Sequence, residues 1–108
     1  MKYKENTITI GDFKRKFDFN IRKVVETRGY FVILLSIPFD NNSIDNIYGI
    51  NESSLKLWRV ERNNEWSGLP YENMNITTDG NIFATDFYGR GVLIDSENGR
   101  ILDRKITK

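Results

Sequence analysis

The reactive groups of this chain are few in kind. Fifteen Asp and Glu residues stand beside no histidine and no cysteine. Those two absences remove Ser-His-Asp triads, thiolate nucleophiles, disulfides and metal sites built on imidazole or thiolate. What remains for acid–base work is a pair of carboxylates, the equipment of a carboxylate-based hydrolase. Asp79, Asp86 and Asp95 are the candidates. Asp79 precedes Gly80, and Asp95 opens Asp95-Ser96-Glu97-Asn98-Gly99. Both are turn sequences in which an Asp side chain bonds its own following backbone, so these two read as turn residues. Asp86 is different. Strict alternation puts it on one face with Ile82 and Ala84, and Arg90 follows closely enough for a local carboxylate–guanidinium pair. That pair reads as structural, and the chain is expected not to be an enzyme.

Ligand-binding motifs are scarce too. Asp40-Asn41-Asn42-Ser43-Ile44-Asp45 offers oxygen ligands but lacks the central Gly and the closing Glu of a calcium loop. Gly89-Arg90-Gly91 is followed by neither Lys-Ser/Thr nor a helix, so it cannot cradle phosphate. No metal and no cofactor are expected. The aromatic residues say more. Trp66 lies in a long polar stretch running to Leu69, Pro70 and Tyr71. Either these residues fold back as a lid over one end of a sheet, or Trp66 presents its ring to a partner or a sugar. The candidate binding residues are therefore Trp66, Tyr71, Asp86, Tyr88 and Arg90.

Extended segments must position these residues. From residue 77 to 105, three strand-like runs are joined by tight turns, with Gly80, Gly89, Gly91 and Gly99 at positions that would each cost a helix about 1 kcal/mol. Tyr30 to Ile37 has a single polar residue, Ser36, and reads as a strand buried on both faces that Pro38 ends. Thr7 to Ile10 is a first short strand. Phe13 to Asn20 follows as a half-buried one that continues toward Val25. A helix over 20–27 is the alternative to that continuation. Ile44 to Ile50 and Leu55 to Val60 make a further hairpin. Arg62 to Asn73 reads as loop, and Met74 to Thr77 re-enters the sheet. Asn46-Ile47-Tyr48-Gly49-Ile50-Asn51 is echoed by Asn81-Ile82-Phe83-Ala84-Thr85-Asp86, an offset that repeat arrays and propeller blades also show. The expectation is one all-β domain spanning 1–108: an antiparallel meander of about eight short strands, curled into a sandwich or a partly open barrel.

Net charge is +1 over 108 residues, but it is unevenly spread: +4 over residues 1–28, −6 over 29–99 and +3 over 100–108. This is not the basic footprint of a nucleic-acid binder. No apolar run approaches the roughly 20 residues of a membrane helix, and no signal-like segment follows Met1. A cytoplasmic protein is expected, with neither nucleic acid nor membrane as partner. The acidic middle is either a solvated face or a surface for a basic partner.

Residues 21–105 resemble a group of small, uncharacterised β-rich proteins from low-GC bacteria. The likeness is carried by Ile21 to Val25, Ile37-Pro38, Asn46 to Asn51, Leu57 to Glu61 and Ile94 to Ile101. Many of that group have a Trp where Phe87-Tyr88-Gly89 stands here. Proteins of this size and style often serve as immunity partners of toxins, so the resemblance implies a non-catalytic protein-binding module, by analogy a toxin-neutralising one. The alternatives are a small-molecule or oligosaccharide binder using Trp66, Tyr71 and Tyr88, and, favoured least, the hydrolase.

Overall fold

The computed structural model describes residues 1–63 and 68–106. These residues form eleven strands and no helix. They are β1 (Lys2–Lys4), β2 (Thr7–Ile10), β3 (Phe13–Lys16), β4 (Ile21–Thr27), β5 (Tyr30–Leu35), β6 (Ile47–Asn51), β7 (Leu57–Arg59), β8 (Tyr71–Ile76), β9 (Ile82–Asp86), β10 (Arg90–Ile94) and β11 (Ile101–Ile106). Pairing is antiparallel between chain neighbours throughout. It gives three sheets: β1-β2-β3, β4-β5-β6-β7 and β8-β9-β10-β11.

The apolar run of β5 explains why there are three layers. Side chains alternate across a strand, so a strand apolar at every position must be covered on both sides. Val32 and Leu34 pack with Met74, Ile82, Ala84, Val92 and Ile94 of the third sheet. Phe31, Ile33 and Leu35 face the other way, toward Ile8, Phe17, Ile21, Ile37 and Ile50. The middle sheet is therefore covered on both faces.

This corrects the expected architecture in two ways. The described residues make eleven strands rather than about eight, and they lie in three sheets, none closed into a barrel. The extra strands sit where the apolar pattern is weakest. Strand β1 is Lys-Tyr-Lys, fully exposed, and is held by its ladder to β2 alone. Strand β8 begins at Tyr71, inside the stretch read as loop, because Pro70 and the Asn residues obscured its alternation. Residues 21–27 are strand, not helix. The Gly89-Arg90-Gly91 stretch is a turn only at Gly89, since Arg90 and Gly91 belong to β10.

Local chemistry sets the connections. Arg28 and Gly29 both take positive φ, 53° and 82°, as a two-residue hairpin between Thr27 and Tyr30 requires. Ladder irregularities fall at Arg22 on β4 and at Glu72 on β8. These residues meet: Arg22 Nη1 donates to the Glu72 carbonyl at 2.9 Å, and next to it Lys23 Nζ donates to the Met74 carbonyl at 2.8 Å. Two cations of the middle sheet thus cap carbonyls on the free edge of β8, which would otherwise invite another strand. The echoed segments are β6 and β9, strands of facing sheets. Each starts after a buried Asn, Asn46 or Asn81. Each ends in a side chain that closes its hairpin, Asn51 or Asp86, by accepting from backbone N–H groups of the turn.

Candidate functional site

One end of the two facing sheets gathers three of the residues picked out from the sequence. Tyr71 at the start of β8, Asp86 at the end of β9 and Arg90 at the start of β10 line one small cleft. The ladders bring them there, since Tyr71 is the register partner of Asp86 and the β9–β10 turn returns Arg90 beside it. Asp45, Asn63 and Leu69 complete the walls that matter here. Tyr88 adjoins through Arg90, whose guanidinium lies 5.7 Å from the Tyr88 ring centroid. Trp66, the fifth candidate, lies outside the described residues.

Asp86 is engaged on both oxygens. Its Oδ1 accepts from the N–H groups of Tyr88 at 2.9 Å and Arg90 at 3.0 Å, and its Oδ2 accepts from Arg90 Nε at 2.7 Å. The carboxylate–guanidinium pair expected from the sequence is formed, and it braces the hairpin. On the tip of that hairpin Phe87 and Tyr88 stand 77% and 68% exposed, their rings 5.6 Å apart and edge-on. Two aromatic side chains are thus held out to solvent on a braced turn.

Asp45 was not singled out as a binding residue. In the sequence it is only the last residue of a stretch that lacks the central Gly and closing Glu of a calcium loop. Nothing in its spacing marks it, because its neighbours in the cleft come from residues far along the chain. The structure buries it, with φ at +55°. Its carbonyl accepts from Arg59 Nε at 2.9 Å, and its Oδ2 accepts from Arg62 Nε at 2.8 Å. Tyr71 is also buried, and its phenol is pushed up to about 12. Burial is the main cause, the Asp45 charge adds to it, Arg104 opposes it and Asp86 reinforces it. The hydroxyl therefore stays protonated through the neutral range. Among the described residues no three Asp or Glu side chains gather to hold a metal.

The other aromatic and turn residues have internal work. Trp58 of β7 packs against the core between the middle and third sheets, and its Nε1 donates to the Ser96 carbonyl at 3.1 Å. Its ring sits over Gly49, where an added methyl would come within 2.1 Å of Cε2. Asp95 Oδ1 accepts from the Glu97 N–H at 2.9 Å, and Asp79 accepts from the Thr77 hydroxyl, which holds its carboxyl below the usual range. Both act in turns, as read from the sequence.

A comparison with known families matches residues 1–106 to a family described as a domain of unknown function, DUF7957. No curated protein and no solved structure matches the chain. Among the described residues no helix is long and apolar enough to cross a membrane.

Proposed function

The chain belongs to the DUF7957 family, and we propose that it is a non-catalytic, cytosolic protein-binding module that docks through the β9–β10 hairpin, with toxin neutralisation as the specific form. The observation that carries this reading is the exposed Phe87–Tyr88 pair on a turn locked by Asp86 and Arg90. Large rings held rigid lose little entropy on docking, and aromatic and arginine side chains supply most hot-spot energy at protein interfaces. The net −6 of residues 29–99 would steer a basic partner toward this surface.

Asp45 and Asp86 line the same cleft, the arrangement a carboxylate hydrolase would need. Each is paired with an arginine, and Asp86 already accepts three hydrogen bonds. That arrangement supports a structural role over acid–base work.

The test is affinity capture from the native host with the tagged full chain. One protein is expected in stoichiometric amount. The Phe87→Ala/Tyr88→Ala variant should lose about tenfold or more in affinity with its circular dichroism unchanged. Absence of any stoichiometric partner, or equal capture by the variant, refutes the reading.

A further inference from the structure

The first three strands put four lysines on one surface. In the β1-β2-β3 sheet the ladder sets Lys2, Thr9 and Lys14 side by side, and Lys4, Thr7 and Lys16 in a parallel row. Side chains alternate across a strand, so these six share one face while Ile8, Ile10 and Phe13 share the other. Ile8 is fully buried and packs, with Ile10 and Phe13, in the cluster that holds Phe31, Ile33 and Leu35 of the middle sheet. The lysine face therefore looks outward, and all four lysines are exposed. Adjacent strands lie about 4.8 Å apart and alternate residues about 7 Å, so the four charges stand on a backbone patch of roughly 10 by 7 Å.

That charge is unanswered. None of the four side chains forms a hydrogen bond or ion pair with a described residue. Residues 1–16 hold five cations and two carboxylates. The carboxylates, Glu5 and Asp12, sit in the turns at the two ends of the face and pair with none of the lysines. Elsewhere cations are engaged: Arg22, Lys23, Arg28, Arg59, Arg62 and Arg90 each donate to a described residue. Lysines on β1 and β3 also blunt the edges of this sheet, but charge of either sign does that. Four of one sign around the neutral centre of Thr7 and Thr9 repel one another, and an outside anion relieves the repulsion.

The make-up of the face selects the anion. It has no ring for bases to stack on and no arginine to read a base edge, which disfavours single-stranded nucleic acid. A duplex is a convex cylinder that meets such a face along one line, whereas these charges stand in two rows. A protein interface is built on aromatic, arginine and large apolar anchors and is depleted in lysine. We infer that this face lies on an anionic lipid bilayer, whose headgroup charge extends in two dimensions and meets all four ammonium groups at once. Such binding spans nothing; it is weak, reversible and sensitive to salt. Residues 29–99, at −6, lie outside this sheet and are repelled by the same bilayer, which turns the lysine face toward it. This departs from the expectation of no membrane partner, which follows from net charge and apolar runs. Net charge averages over faces, and this face exists only once β1 and β3 pair with β2. The β9–β10 hairpin belongs to the third sheet, across the middle sheet, and remains free to dock a protein at the same time.

The test uses the full chain, sedimented with vesicles of phosphatidylcholine carrying about one-third phosphatidylserine, at about 0.1 M salt. Partition onto these vesicles is expected, with none onto phosphatidylcholine alone and release at about 0.5 M salt. Each lysine should contribute about fivefold, so Lys2→Gln/Lys14→Gln should lose about twentyfold or more, and Lys4→Gln/Lys16→Gln the same. The two pairs are independent variants, and circular dichroism checks that each keeps its strands. Lys56→Gln/Lys105→Gln removes the same charge from exposed positions outside this face and should stay within about twofold of the parent. No partition onto the anionic vesicles overturns the inference, as does equal binding to neutral ones. An equal loss in the Lys56/Lys105 variant, or undiminished binding by both first-sheet variants, overturns it too. Tighter binding to a duplex oligonucleotide or to polyglutamate than to the vesicles, at the same salt, assigns the face to that polyanion, and the bilayer falls. Capture of a host protein by the hairpin tip reads a different surface, so either result stands without the other.

Discussion

Asn46→Ala should be among the most destabilising single changes in this protein. The side chain is 2% exposed and makes three hydrogen bonds. Its amide nitrogen donates to the Leu35 carbonyl at 2.7 Å and to the Tyr71 carbonyl at 2.9 Å, and its oxygen accepts from the Tyr71 N–H at 2.8 Å. Asn46 thus ties the middle sheet to Tyr71, the first residue of β8 and one wall of the candidate cleft. Truncation leaves a buried N–H without its acceptor, a loss of roughly 1–3 kcal/mol. It also strips a donor from each of two carbonyls, about 0.5–1.5 kcal/mol apiece. The sum is about 2–6 kcal/mol, against a total stability of roughly 5–15 kcal/mol for a typical protein. Urea unfolding followed by Trp fluorescence gives the number directly. At about 4 °C per kcal/mol the thermal midpoint should fall by roughly 8–24 °C. Asn46→Asp keeps the acceptor but sets a carboxylate against two carbonyls, and should lose as much. A loss below about 1 kcal/mol for Asn46→Ala, with an unchanged denaturant slope, would refute the view that this side chain joins the sheets.

Further outcomes follow from neighbouring features. Gly49→Ala drives a methyl to 2.1 Å from the Trp58 ring, and should cost about 1–3 kcal/mol in urea unfolding, most of it recovered when Trp58→Leu is added. Asp86→Asn removes the charge that braces the β9–β10 turn and should cost about 1–3 kcal/mol, seen as earlier hydrogen exchange of the Tyr88 and Arg90 amides. The Tyr71 phenol at about 12 in the folded chain lies above the ordinary value of about 10 in the unfolded one. Between those values the folded chain keeps a proton that the unfolded chain has released. Stability is therefore full below pH about 10 and falls as pH rises toward about 12, by about 2 kcal/mol. In Tyr71→Phe the urea midpoint should fall less between pH 9 and pH 11.5 than in the parent, and an equal fall in both would contradict the assignment.

Much of the architecture was legible in the order of residues. β5 declared itself by being apolar at nearly every position, a pattern that only coverage on both faces can satisfy. The C-terminal hairpins showed through turn chemistry at Asp79-Gly80 and Asp95 to Gly99, because a turn is set by a few adjacent residues. The Asp86–Arg90 pair was legible for the same reason, being four residues apart on one hairpin. β1 and the start of β8 were hidden, since a strand with few apolar side chains is fixed by the ladder it joins.

The sequence by itself determined that this chain is extended, antiparallel and without imidazole or thiol chemistry, because periodicity, turn residues and composition are local quantities. Only the tertiary structure decided that there are three layers, that Asn46 reaches across to Tyr71, and that Asp45 and Asp86, 41 positions apart, share a cleft. Burial, an ion pair between distant residues and a raised phenol are properties of what surrounds a side chain. Those surroundings arise when distant segments pack, and no window of neighbouring residues contains them.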